Sequence, residues 1–151
     1  YEHDVGKIYV SQFDNLLGQW LGYPSSTCVH QPTCGQSLVT EANGDVYTCD
    51  HFVYPEYKMG NLTQQPLTEI VLSSKQQQFG LEKSQQLTAL CRHCEFRKLC
   101  YGGCPKHRFV SLENEPNPHN YLCASYRYFF EQTAPYMQAM ARQIRLHPSA
   151  A

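Results

Sequence analysis

No apolar run in the 151 residues approaches the roughly 20 needed to span a bilayer, and no charged-then-apolar leader opens the chain. The sequence therefore predicts a soluble protein with no membrane partner. Charge of one sign is missing too. Twelve Lys and Arg stand against 13 Asp and Glu, with the basic residues scattered, so there is no electrostatic footprint for nucleic acid. Charged residues make up only 17% beside 13% aromatic ones, which suits a compact body whose apolar surface meets something else. The length fits one domain with a modest core. An initiating methionine is also lacking: the chain opens at Tyr1 and reads like the middle of something, so it is expected to be a piece of a longer protein.

What the sequence does have is cysteine. Cys91, Cys94, Cys100 and Cys104 fall within fourteen residues, and Cys28, Cys34, Cys49 and Cys123 lie outside that run. An even count can signal a disulfide framework. Against that reading stand the missing leader, a chain longer than most disulfide scaffolds, and the x2, x5 and x3 spacings, which gather thiols as a chelate. Such soft ligands suit zinc or an iron–sulfur cluster. The stretch Cys100-x3-Cys104-Pro105 matches the close of the bacterial ferredoxin run, where the last cysteine ligates the other cluster. That predicts one site of Cys28, Cys34, Cys49 and Cys104, and a second of Cys91, Cys94, Cys100 and Cys123. Zinc would group Cys91, Cys94, Cys100 and Cys104 on one ion instead and the remaining thiols on another.

The rest of the chain supplies walls. Lys7 to Val10 has strand character, and Phe13, Leu16, Leu17, Trp20 and Leu21 repeat at helical spacing up to the stop at Gly22 and Pro24. Asn43-Gly44 between Ser37–Ala42 and Asp45–Cys49 predicts a hairpin with a two-residue type I′ turn, pairing 42 with 45 and 38 with 49, after a bend at Gly35. Pro55 and Met59-Gly60-Asn61 mark turns. Pro66 starts a short helix through Leu67, Ile70, Val71 and Leu72 that should end in the Gln-rich run before Gly80, and another short helix carries Leu87 and Leu90 to Cys91. From Tyr121 an aromatic-rich helix interrupted at Pro135 places Cys123 in its first turn. Arg92, Arg97, Lys98, Lys106 and Arg108 form a basic surround for thiolates, with His93 and His107 as alternative ligands. The expected class is α+β: a small irregular metal-cluster domain with a β-hairpin, short helices and a C-terminal helix around two four-cysteine sites.

Cys28-x5-Cys34-x8-Asn43-Gly44-x4-Cys49, then Cys91-x2-Cys94-x5-Cys100-x3-Cys104 and a late Cys123, resembles the SPASM domain of radical S-adenosylmethionine enzymes that modify peptides. Val46-Tyr-Thr-Cys-Asp-His-Phe-Val53, Met59-Gly-Asn-Leu62, Asn120-Tyr-Leu-Cys-Ala124, Tyr128-Phe-Phe130 and Pro135-Tyr-Met137 resemble, more narrowly, the anaerobic sulfatase-maturating enzymes. The likeness spans roughly residues 5–141.

That resemblance implies two auxiliary [4Fe–4S] clusters on the two quartets just named. It implies a parent enzyme that oxidises a cysteine or serine of a sulfatase to Cα-formylglycine, a 5′-deoxyadenosyl radical taking the Cβ hydrogen. It makes Asp50, directly after the third ligand of the first cluster, the general base, helped by an upward pKa shift in a dry site. The clusters would carry electrons onward to an electron-transfer protein, and the domain would close the substrate site. Residues 1–27 would be a linker strand and helix from an upstream radical domain, 28–141 the SPASM domain, and 142–151 a tail. A Cys-x3-Cys-x2-Cys motif is absent, His107 standing where its third cysteine would fall, so S-adenosylmethionine and a third [4Fe–4S] cluster belong to the upstream domain and the fragment alone should not turn over. The expected location is cytoplasmic. The alternatives are a SPASM domain of another peptide-modifying maturase and a non-catalytic zinc module.

Overall fold

The computed structural model describes residues 3–4, 7–35 and 37–146. The N-terminal apolar repeat forms helix α1 (Ser11–Leu21) and buries Leu16 against Phe96, Leu99, Phe130, Met137 and Met140, with Leu17 and Trp20 at the edge. Gly22, at φ 100, ends it: its N–H reaches the Gln19 carbonyl and that of Tyr23 reaches Gly18. Lys7–Val10 is not a strand. Its donors are used locally, Lys7 and Ile8 N–H turning back to the Asp4 carbonyl and Val10 N–H donating to Asp14 Oδ2, which leaves no ladder to form.

The hairpin is present but slipped by one residue. Strands β1 (Val39–Thr40) and β2 (Asp45–Tyr47) pair Val39 with Tyr47 and Thr40 with Val46. Glu41 N–H donates to the Asp45 carbonyl at 2.8 Å and Gly44 N–H to the Glu41 carbonyl at 2.9 Å, so the loop has three residues, with Gly44 left-handed at φ 86. The cause is local. Asn43 Oδ1 accepts from Asp45 N–H at 3.0 Å, and the Asn43 carbonyl accepts from Asn61 Nδ2 at 3.1 Å. These bonds favour an Asx-type turn over two successive left-handed residues. One residue of slip changes which side chains share a face, so Leu38 and Cys49 are not partners.

Met59–Asn61, expected as a turn, lies in a third strand, β3 (Lys58–Asn61), which pairs with β2 around a bulge and leaves Val46 fully buried. The Gln-rich run is likewise not a helix end. Helix α2 (Leu67–Val71) stops, Ser73 Oγ accepts the Gln76 N–H, and α3 (Ser74–Gln85) starts afresh, with Gly80 inside it. Its buried positions, Gln76, Gly80 and Lys83, follow helical spacing yet carry no apolar side chain.

Two short helices, α4 (Ala89–Arg92) and α5 (Arg97–Cys100), lead to the small sheet of β4 (Arg108–Val110) and β5 (His119–Asn120). Helix α6 (Cys123–Leu146) runs through Pro135 without a break, because its buried face of Phe130, Met137, Met140 and Ala141 seats on the core shared with α1. Arg145 adds a bond to the Trp20 carbonyl at 2.9 Å. The tail expected from 142 is therefore helical to Leu146, and positions 147–151 lie outside the described residues.

Candidate metal centres

Cys28, Cys34, Cys49 and Cys104 line one cavity, with Asp50 and His51 at its side. Cys28 opens a 3₁₀ turn (Cys28–His30), and the chain after Cys34 bends at Gly35, φ 84. Cys49 follows β2 in extended conformation and leads into a 3₁₀ turn, Asp50–Phe52. Cys104 comes from the end of the cysteine run, its Sγ 3.5 Å from His51 Nδ1. Helix α3 holds these segments together. Gln76 Nε2 donates to the carbonyls of Gly35 at 2.7 Å and Thr48 at 3.2 Å, and Cys34 N–H donates to the Gly80 carbonyl at 3.2 Å.

Cys91, Cys94, Cys100 and Cys123 line a second cavity, walled by Phe96 and Tyr126. Thr88 caps α4 and contacts His119 Nδ1 at 2.9 Å, and the same ring nitrogen lies 3.7 Å from Cys91 Sγ. Cys94 and Cys100 pack directly on the hydrophobic core, and Cys123 is the first residue of α6. His93 turns its ring to the Ala89 carbonyl and His107 packs on Tyr121; neither lines either thiol cavity.

The chain passes from the second group of thiols to the first in four residues. Tyr101 (φ 47), Gly102 (φ 72) and Gly103 (φ 63) are all left-handed, a sequence of turns that two glycines make accessible and that points Cys104 away from Cys100. Arg108 braces this turn, donating to the carbonyls of Gly102, Tyr101 and Gly103.

As free thiols the buried cysteines resist ionisation. Burial pushes Cys100 up to about 11, and burial plus the bond from its thiol to Asp50 pushes Cys49 up to about 12. Burial also raises Cys34, Cys104 and Cys123. A coordinating metal reverses this, since it deprotonates its thiols outright. The donor set fits such a group: each cavity gathers four soft sulfur atoms, as four-thiolate zinc and iron–sulfur centres require.

Asp50 sits at the rim of the first cavity. Its Oδ1 accepts from Cys49 Sγ at 3.0 Å and from His51 N–H at 3.1 Å, and the ligand atoms of Cys49, Asp50 and His51 lie within 4.8 Å of one another. The expected upward shift is absent. Asp50 is exposed, and the Cys49 thiol, with His51 adding to it, holds the carboxyl below its usual range.

Sequence reasoning missed Gln76, Gly80 and Lys83, although their i, i+4, i+7 spacing marks one helix face. Of the basic surround, Arg92 bonds the Leu87 carbonyl and Lys106 lies over the Tyr54 ring; Arg108 is the one that reaches between the two thiol groups.

Residues 28–95 match the SPASM family, an iron–sulfur cluster-binding domain. The chain is 44% identical over 144 residues to the serine-type anaerobic sulfatase-maturating enzyme of Bacteroides thetaiotaomicron, covering 95% of this chain and 34% of that protein. It is 33% identical to the cysteine-type enzyme of Clostridium perfringens over 92% of this chain and 37% of that one. Solved structures of anSMEcpe with bound AdoMet, one also with a Kp18Cys peptide, align at TM-score 0.77 and 32% identity over 93% of this chain. The chain spans about a third of the length of these curated relatives. Two thiol groups on a small mixed fold, the matched domain and the shared architecture lead to one conclusion: residues 28–95 match the SPASM iron–sulfur cluster-binding domain, and nearly the whole chain is similar to the corresponding third of the anaerobic sulfatase-maturating enzymes.

Proposed function

We propose that each cysteine quartet holds a [4Fe–4S] cluster and that this chain is the auxiliary-cluster domain of a longer radical enzyme that converts a cysteine or serine of a sulfatase to formylglycine. The observation that supports it is that eight thiols line two cavities, four to each, with a carboxylate bonded to a thiol of the first. The names of the relatives support the reaction, and the AdoMet and Kp18Cys peptide bound by anSMEcpe support the substrate class and an upstream radical domain. That domain would precede residues 28–141, in the reducing interior of the cell.

When bound, such clusters supply one-electron redox chemistry. The chain's residues do the rest. The substrate R–CH₂–XH loses a Cβ hydrogen atom, a proton from X and an electron, leaving R–CH=X. Asp50 is placed for the proton. Asp50 is exposed, and a carboxyl in water is ionised at neutral pH, so it is a competent acceptor before the substrate closes over it. Cys49 holding a metal as its thiolate would have no proton to give, which would leave Asp50 Oδ1 free to accept one. Apolar neighbours Phe52 and Phe79, packed edge to face beside this cavity, exclude water from one wall.

Two measurements test this. Anaerobically purified chain should contain about eight iron and eight sulfide, as two four-iron clusters require; two zinc ions and no sulfide would refute the reading in favour of a structural module. In the full-length parent, Asp50→Asn should retain iron and cofactor cleavage while losing formylglycine formation by ~10²-fold or more, the range for removing a general base. Maturation at the normal rate would remove Asp50 from the mechanism.

A further inference from the structure

We infer that Lys83 is the built-in counter-cation of the first cysteine quartet and Arg108 a cation shared by both quartets, so that a cluster at either site is more easily reduced. This rests on the cluster reading above and adds the residues that set its electrochemistry.

Lys83 is 1% exposed and the largest fully buried side chain among the described residues. Its Nζ donates to the Cys28 carbonyl at 2.5 Å and to the Val29 carbonyl at 3.0 Å. Arg108 donates to the carbonyls of Lys83 at 2.7 Å, Tyr101 at 3.1 Å and Gly102 at 3.2 Å. Carbonyls fix the position of a cation without cancelling its charge. Among the described residues the ion pairs are Lys58–Asp45 and Arg127–Glu131, so neither Lys83 nor Arg108 has a carboxylate partner.

Two like charges are thus held in the interior, Arg108 bonded to the Lys83 backbone carbonyl; burial makes each charge less favourable, and Arg108 adds to this at Lys83. An arrangement of that kind is stable only beside compensating negative charge. The groups that can supply it are the cysteine sulfurs once they hold a metal: Cys34, Cys28 and Cys104 for Lys83, and Cys91, Cys34, Cys100 and Cys104 for Arg108. Lys83, bonded to the backbone of Cys28 and Val29, lies with the first quartet, while Arg108 is bonded to the Tyr101–Gly103 turn that joins the two quartets. A four-thiolate cluster is negative and becomes more so on reduction, and net charge and local hydrogen bonding are among the factors that set its potential. A buried cation favours the reduced form.

The test uses the full-length protein reconstituted without oxygen, with iron and sulfide assay and EPR-monitored redox titration. Lys83→Gln keeps a donor for the Cys28 and Val29 carbonyls but no charge. It should retain iron and lower one potential by at least tenfold in the reduction equilibrium, about 59 mV for one electron. Lys83→Arg should return that potential to within threefold of wild type, and Arg108→Gln should lower two potentials where Lys83→Gln lowers one. Unchanged potentials in an iron-replete Lys83→Gln protein would overturn the inference. So would equal loss of iron from Lys83→Gln and Lys83→Arg, because the charge would then not be what the site needs. If Lys83→Gln alone loses iron and Lys83→Arg keeps it, the charge requirement stands. A wild-type protein without iron and sulfide would overturn the cluster reading itself, which the assay separates from the other results.

Discussion

Replacing a glycine inside a helix by alanine ordinarily stabilises a protein by about 1 kcal/mol, because alanine has the higher helix propensity. Here the same substitution should have opposite signs at two positions. Gly18, in α1, has no atom within 4 Å of where a Cβ would stand, so Gly18→Ala should gain up to that ~1 kcal/mol. Gly80, in α3, faces the loop of the first quartet: its Cβ would lie 2.7 Å from the Cys34 carbonyl oxygen, and Cys34 N–H already donates to the Gly80 carbonyl. The obstacle is backbone on both sides and cannot swing away as a side chain would. Overpacking of this kind costs roughly 1–3 kcal/mol, which exceeds the propensity gain at most of that range. Gly80→Ala should therefore lose about 1 kcal/mol, and iron at the first site should fall with it, since the helix would push Cys34 out of place. Urea denaturation of the metal-free chain, with iron content after reconstitution, reads both effects. A Gly80→Ala protein as stable as Gly18→Ala and fully loaded would refute the claim that α3 presses on the ligand loop.

Gln76→Leu removes the amide that ties the Gly35 and Thr48 carbonyls together, and the loss of one donor to a buried and a part-buried acceptor should cost about 1–3 kcal/mol in urea unfolding, with first-site iron falling while second-site iron is retained. The metal-free chain should weaken in alkali. The buried Cys100 thiol has its ordinary value of 9.0 raised to about 11, so the stability of keeping it neutral is full below pH 9 and is lost as pH rises toward 11, worth roughly 3 kcal/mol at about 1.36 kcal/mol per pH unit. Thermal melts across that range check it; a flat profile would show that burial does not hold this thiol neutral. In the opposite sense, metal uptake should release protons and tighten with rising pH, measurable as acid released on titration with iron or zinc.

How far the sequence could be read depended on how local each signal was. Covalent spacing survives folding, so Cys91, Cys94 and Cys100 cannot lie far apart, and the structure lines one cavity with them and Cys123. Leu16 and Trp20 declared α1 through an apolar stripe that does face the core. Helix α3 gave no such signal, because the face it buries is Gln76, Gly80 and Lys83; a pattern search tuned to apolar residues reads that face as solvent. The hairpin slipped for a similar reason. Asn-Gly allows two turn types, and the choice is made by Asn61, sixteen residues beyond Asp45, bonding Asp45 and the Asn43 carbonyl. Asp50 was legible as a residue beside a thiol. Its lowered pKa was not, since exposure is a tertiary fact and the bond between the neighbouring Cys49 and Asp50 side chains depends on rotamers that the sequence does not fix.

The left-handed run Tyr101–Gly102–Gly103 makes the two thiol groups interlock along the chain. The first group spans positions 28 to 104 and the second 91 to 123, so the spans overlap and neither can be cut out as a module. Any ligand that gathers Cys91, Cys94 and Cys100 also delivers Cys104 to the other cavity, shortening the loop that the first group must close and so lowering its entropic cost. The overlap predicts an order of assembly: filling the compact second group first should be the low-entropy route, and damage there should weaken the first group even when all its own thiols are intact.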